Sequence, residues 1–250
     1  MNLFQVILTD PLLNLLIFFY KILFENFGLA IIALTLFLKT ILFPLSLPSL
    51  KMLKKQNELA EEIAEIKSVY GKDKTLFAKK QMELYQKHGI NPASGCLPQI
   101  LQFAVLIALY NVFLAFLNYL KTDITQINPL LYFDFLKFEA GAKINTAFLY
   151  LDLAKPDPYY IMPVLAGIAQ FLMSKFMTPP KPVSKLEGQV VAKTSGESDD
   201  MMYNMQKQML YMGPIMTVII GINFPSGLVF YWFLQTVFQV IPQWILNKRK

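Results

Sequence analysis

Cysteine, histidine and arginine each occur once in this chain of 250 residues, as Cys96, His88 and Arg249. A single cysteine forms no internal disulfide. One histidine beside one cysteine supplies neither a Cys/His metal cluster nor a Ser-His-Asp triad, and His88 reads as a helix-end residue. The shortage of arginine bears on partners. The net charge is +6, yet lysine carries nearly all of it, whereas a nucleic-acid reader uses arginine for bidentate contacts. Charge of either sign is sparse: 16% of residues are charged against 55% hydrophobic. With a mean hydropathy of +0.42 and recurring uncharged runs, the chain falls in the membrane class. Its positive charge then serves to orient it in a bilayer, and no specific nucleic acid is implied.

Runs of about 20 mostly apolar residues mark candidate spans. Five such runs lie at about 27–48, 97–118, 159–177, 205–222 and 227–246, with the tight turn NFPSG joining the last two. The fold class expected is all-α: a polytopic bundle of five transmembrane helices. Nine lysines lie between Lys51 and Cys96, five between Lys175 and Gln208, and three basic residues close the chain, against five lysines on the other side (21, 121, 137, 143 and 155). The positive-inside rule then places the C-terminus in the cytoplasm and the N-terminus outside.

Residues 1–26 form a separate unit. Asp10 is positioned to cap a helix and Pro11 to occupy its first turn. Asp10, Asn14, Lys21 and Glu25 share one narrow stripe on a helical wheel, as in a helix that lies in the membrane interface. No basic segment precedes it and no small-residue cleavage site ends it, which disfavours a signal peptide.

Residues 50–90 change character. Leu53, Leu59, Ile63 and Ile66 recur at helical spacing; KDK turns the chain after Gly71; Leu76, Phe77, Met82, Leu84 and Tyr85 repeat the pattern, and Gly89 ends it. Two helices joined by a short turn make an antiparallel hairpin, on the cytoplasmic side. A solvated spacer and a mobile docking arm both fit its charged faces. The polar stretch 181–200 reads as a flexible cytoplasmic loop.

Lysine in the middle of the run LTLFLKTILFPL is the feature most in need of explanation. Lys39 lies twelve residues past Phe27, about 18 Å along a helix at 1.5 Å per residue. A charge at that depth costs several kcal/mol against lipid and belongs in the bundle interior or a wet cavity. Candidate partners are polar but neutral. Gln235, Gln239 and Gln243, with Tyr231 a turn earlier, line one face of the fifth run; Gln99 and Gln102 lie in the second, Gln170 and Ser174 in the third, and Thr35 one turn before Lys39. A single polar residue of this kind is often interhelical glue. An aligned stripe facing a lysine with no carboxylate in any span points instead to a shared hydrated groove.

Several segments resemble the YidC/Oxa/Alb family of membrane-protein insertases. GINPASGCLPQILQFAVLIALY is similar to their second core span, PDPYYIMPVLAGIAQFLMSK to the third, FPSGLVFYWFLQ to the fifth, and YGKDKTLFAKKQMELYQKHGINP to their cytoplasmic hairpin. The resemblance covers about residues 25 to 246 and lies in the order and spacing of the segments. It implies an insertase core over 27–250, in the bacterial cytoplasmic (inner) membrane, with a groove open to cytoplasm and lipid and closed outside. It implies nascent membrane proteins as substrates, alone or beside the Sec translocon, the ribosome or the signal recognition particle pathway. It implies a short form without the large outer domain of some members. A groove arginine of the family corresponds to Lys39, which keeps the charge without the planar fork; further groove positions correspond to Gln170 and Trp232.

Such a groove shortens the dry path of a polar segment across the bilayer, and Lys39 attracts its acidic residues. No catalytic residue, metal, cofactor or nucleotide is implied, for the chain has no P-loop. The alternative is a secondary transporter or channel that uses Lys39 for ions; it calls for paired ionisable residues and inverted repeats, and the sequence displays neither.

Overall fold

The computed structural model describes residues 3–71, 73–90, 97–177 and 201–248. The predicted loop 181–200 and the stretch 91–96 of the GINPASGCLP segment lie outside them. Eight α-helices account for most of the described chain: α1 (Asp10–Ile22), α2 (Phe27–Glu58), α3 (Ala60–Tyr70), α4 (Lys74–Lys87), α5 (Leu97–Lys121), α6 (Ile161–Met177), α7 (Met201–Asn223) and α8 (Ser226–Lys248). Every apolar run identified in the sequence is helical. Among the described residues three helical stretches are long and apolar enough to cross a membrane, Gln5–Ile22, Phe27–Ser49 and Ile100–Lys121; the apolar stretches Ile161–Phe176, Leu210–Asn223 and Ser226–Ile241 are shorter.

The helix that contains the first apolar run continues past 48. Pro44 and Pro48 sit inside α2, where each removes a backbone donor. Hydroxyls occupy nearby acceptors: Ser46 Oγ donates to the Leu42 carbonyl at 3.2 Å and Ser49 Oγ to that of Ser46 at 2.8 Å. The helix runs on to Glu58, so the hairpin proper consists of α3 and α4. Asp73 caps α4 by accepting from Leu76 N at 3.0 Å, and His88 follows its last turn, 3.7 Å from Glu62. A small separate core of Leu59, Leu84 and Ile90 holds this unit.

The main core joins α1, α2, α5 and α8. Phe27 stacks on Phe116 at 4.8 Å and meets Phe113 edge-on at 5.8 Å, and Leu16 and Ile17 of α1 are fully buried beside them. Asp10 does not act as a cap: residues 5–9 are already helical, as a π-helical turn, and no capping side-chain bond forms. Asp10 and Asn14 are both buried. Asn14 Nδ2 donates to the Leu130 carbonyl at 2.9 Å, and Tyr132 N donates to Asn14 Oδ1 at 2.7 Å. The upper part of the predicted polar stripe therefore bonds protein backbone.

α6 packs between α7 and α8. Its contact with α7 is close because Gly167 has no side chain; a Cβ there would come within 2.5 Å of Val218 Cγ2 and 3.3 Å of the Pro214 carbonyl. Small residues that admit a neighbouring backbone are what helix pairs in a membrane use in place of a hydrophobic drive.

Residues 122–160 form a cap between α5 and α6. It contains two short 3₁₀ segments and a two-stranded hairpin of β1 (Ala147–Phe148) and β2 (Leu151–Asp152). The cap clasps the start of α8: Ser226 N donates to the Lys155 carbonyl at 2.7 Å, Gly227 N to that of Leu153 at 3.0 Å, and Ser226 Oγ to that of Asp152 at 2.8 Å. Gly227 permits this approach, since a Cβ there would lie 2.9 Å from the Leu153 carbonyl of the cap and 2.5 Å from the Phe113 ring of α5. The buried Asp157 carboxylate accepts from Tyr159 N, Met162 N and the Tyr150 hydroxyl at 3.0, 2.7 and 3.0 Å, tying the cap to the first turn of α6. Burial, reinforced by the bond to Asp157 and its charge, pushes the Tyr150 hydroxyl up to about 12.

Candidate polar groove

The site is assembled on α8. A spacing of four residues brings Tyr231, Gln235 and Gln239 to one face, and each of the first two reaches a different neighbour. Lys39 Nζ of α2 donates to Gln235 Oε1 at 3.1 Å. Gln102 Nε2 of α5 donates to the Tyr231 hydroxyl at 3.2 Å. Two polar links one turn apart thus connect α8 with both α2 and α5. Gln235 lies nine residues beyond Ser226, about 13 Å along the helix from the clasped end.

Lys39 is half-buried. Residues 27–57 of α2 and all of α5, α6, α7 and α8 contain no aspartate or glutamate, and among the described residues Lys39 forms no ion pair. An ammonium has three donors. Gln235 takes one, so the pair presents a cation with remaining donor capacity on a neutral polar wall. The arrangement offers hydrogen bonds and a positive field to acidic or carbonyl groups.

The other predicted residues are placed variously. Thr35 is buried and its hydroxyl is committed to the Ile31 carbonyl at 2.7 Å, so it adds no link between helices. Trp232 and Gln239 are half-buried on α8. Gln170 sits on the α6–α7 side: a methyl at Gly213 of α7 would lie 3.9 Å from its Nε2. Ser174, one turn further along α6, is half-buried. The side chains of Gln99 and Gln243 lie outside the described ones. Two buried threonines were not anticipated, Thr217 and Thr236. Each donates to the carbonyl four residues before it, at 2.9 and 2.8 Å. A hydroxyl satisfied within its own helix leaves no pattern in the sequence by which to single it out.

A family model described as 60Kd inner membrane protein matches residues 18–250. A protein of Fusobacterium nucleatum named membrane protein insertase YidC is 34% identical over 224 residues, 90% of this chain and 87% of that protein. Membrane protein insertase YidC 2 of Bacillus anthracis is 31% identical over 241 residues, 95% of this chain and 78% of that one. Membrane protein insertase YidC of Geobacter metallireducens is longer: 34% identity over 242 residues covers 96% of this chain and 37% of that protein.

Proposed function

The chain belongs to the 60Kd inner membrane protein family, that of the YidC insertases, and from this premise we propose that it inserts and folds membrane proteins, guiding their polar segments through a groove built on Lys39 and the α8 glutamines. The Lys39–Gln235 contact carries the reading. A polar segment crossing a hydrocarbon layer about 30 Å thick leaves backbone groups unsatisfied at several kcal/mol each. A wet groove reaching the middle of the layer shortens that path. The free donors of Lys39 attract carboxylates, and the apolar part of the substrate leaves sideways into lipid. No bond is made or broken.

In this reading α2, α5, α6, α7 and α8 are the five spans. α1 rests at the outer interface against the cap, to which Asn14 ties it, and the C-terminus is cytoplasmic. The α3–α4 hairpin is then the first element to meet a nascent membrane protein, or the ribosome, signal recognition particle or Sec translocon that delivers it. The test is reconstitution. Purified protein in liposomes is expected to insert a single-span substrate with its polar segment protected from added protease. Solute flux without insertion would contradict the proposal and favour a channel.

A further inference from the structure

Three turns at one end of the bundle place large apolar side chains where backbone geometry favours glycine. Phe24, just past the end of α1, has φ +57°; Leu149, in the turn between β1 and β2, has φ +55°; and Tyr160, just before α6, has φ +58°. The left-handed conformation costs a residue with a Cβ roughly 1–2 kcal/mol. Helix ends and two-residue hairpin turns normally give such positions to Gly or Asn. These side chains do not recover the cost by packing: Phe24 is 90% exposed, Leu149 83% and Tyr160 52%.

The same end carries a second exposed group. Tyr132, Phe133 and Phe135 of the cap are each more than half exposed. Phe133 and Phe135 stack at 5.6 Å, and Phe135 meets Phe18 of α1 at 6.3 Å. At the hairpin turn exposed Tyr150 meets exposed Tyr159 at 6.2 Å, and from there the apolar outer face of α6 runs on through Tyr160, Ile161, Val164, Leu165 and Ile168, all exposed. Lys21 of α1, 3.8 Å from Glu25, lies 4.4 Å over the ring of the buried Phe138. Aromatic rings beside long cationic side chains suit the headgroup level of a bilayer.

We infer that the cap is a lipid-anchoring element: the turns at Phe24, Leu149 and Tyr160 and the rings of Tyr132, Phe133 and Phe135 seat at the headgroup level of the phospholipid leaflet at that end of the bundle, with the exposed Asp134 carboxylate toward water. The clasp from β2 and Lys155 to Ser226 and Gly227 then fixes the start of α8 to the leaflet. Through α8 it sets the depth at which Gln235 holds Lys39. The occupant is the leaflet itself, because Tyr150 and Tyr159 carry the exposed surface of the cap onto the outer face of α6, which the proposed function places in lipid.

The test is depth measurement on the whole chain in phosphatidylcholine–phosphatidylglycerol vesicles. With Cys96→Ser as background, nitroxides are attached one at a time at cysteines replacing Phe24, Phe133, Leu149 and, for comparison, the exposed Glu139. Collisions with oxygen and with a water-soluble nickel chelate are compared by electron paramagnetic resonance. The expected result is loss of nickel collisions and gain of oxygen collisions at 24, 133 and 149 relative to 139. Nickel access equal to that at 139 would put the cap in water and overturn the inference. Low access to both reagents would mean that protein covers the surface, which also overturns it. Phe133→Trp, in a background with Trp232→Phe and Trp244→Phe, gives an independent reading with a smaller change of side chain. Brominated lipid should quench its fluorescence, and absence of quenching would count against the anchor.

Discussion

Lys39 Nζ of α2 stands 3.1 Å from Gln235 Oε1 of α8, a cation held by a neutral acceptor. Had the acceptor been a carboxylate, the two charges would cancel within the bundle and little field would reach a substrate. A glutamine fixes the ammonium and leaves its charge uncompensated.

This difference gives the first prediction. Gln235→Glu keeps an acceptor at the same place but pairs with Lys39. Insertion of substrates with acidic outer segments is expected to fall toward that of neutral ones. Gln235→Leu removes the acceptor and retains the charge, so the preference for acidic segments should survive. Insertion assays with matched acidic and neutral substrates measure both. The same preference in Gln235→Glu and in the parent would show that the pairing does not matter.

Gly167→Leu should separate α6 from α7. With Val218 Cγ2 already 2.5 Å from the Cβ position, the helices must move apart, at a cost on the order of 1–3 kcal/mol as for other overpacked contacts. Gly213→Ala, whose nearest neighbour would be Gln170 at 3.9 Å, is expected to be mild. Unfolding in mixed micelles as SDS increases should rank them in that order.

Asp157→Ala removes the acceptor of two backbone amides and the Tyr150 hydroxyl. Loss of such a cap costs about 0.5–2 kcal/mol. Asp157→Asn keeps an acceptor oxygen and should lose less. The same SDS titration reads the difference.

The hairpin should open more readily than the bundle. Its own core contains Leu59, Leu84 and Ile90, whereas the bundle core joins residues from α1, α2, α5, α8 and the cap. Local opening follows such differences in buried apolar contact. Hydrogen exchange by mass spectrometry is expected to show faster uptake in α3 and α4 than in α5 and α8; equal protection would contradict this.

Much of the architecture was legible because an apolar run of helical length has few alternatives, and all five runs are helices. The need of Lys39 for a polar neighbour was legible from its depth. That the neighbour is Gln235 and not Gln239, one turn away, depends on how α2 crosses α8, which periodicity does not encode. Gln170 illustrates the same limit: spacing puts it on a polar face of α6 without saying whether that face meets α7 or α8. The Asp10–Asn14 stripe marks a polar surface equally well whether water or the backbone at 130–132 satisfies it. The apolar run ends near 48, yet α2 continues through Pro44 and Pro48 to Glu58, because polar residues extend a helix without extending the run. The cap has no periodic pattern, being held by side chain to backbone bonds from Asn14, Asn128, Asp152 and Asp157.

The most direct measurement of the central claim is insertion by Lys39→Ala in liposomes, using paired substrates that differ only in whether the outer segment is acidic or neutral. The variant should fold, because no buried carboxylate loses its partner. It is expected to lose insertion of the acidic substrate and spare the neutral one, with Lys39→Arg retaining both. Equal loss of both substrates by a folded Lys39→Ala protein would contradict a role in charge attraction.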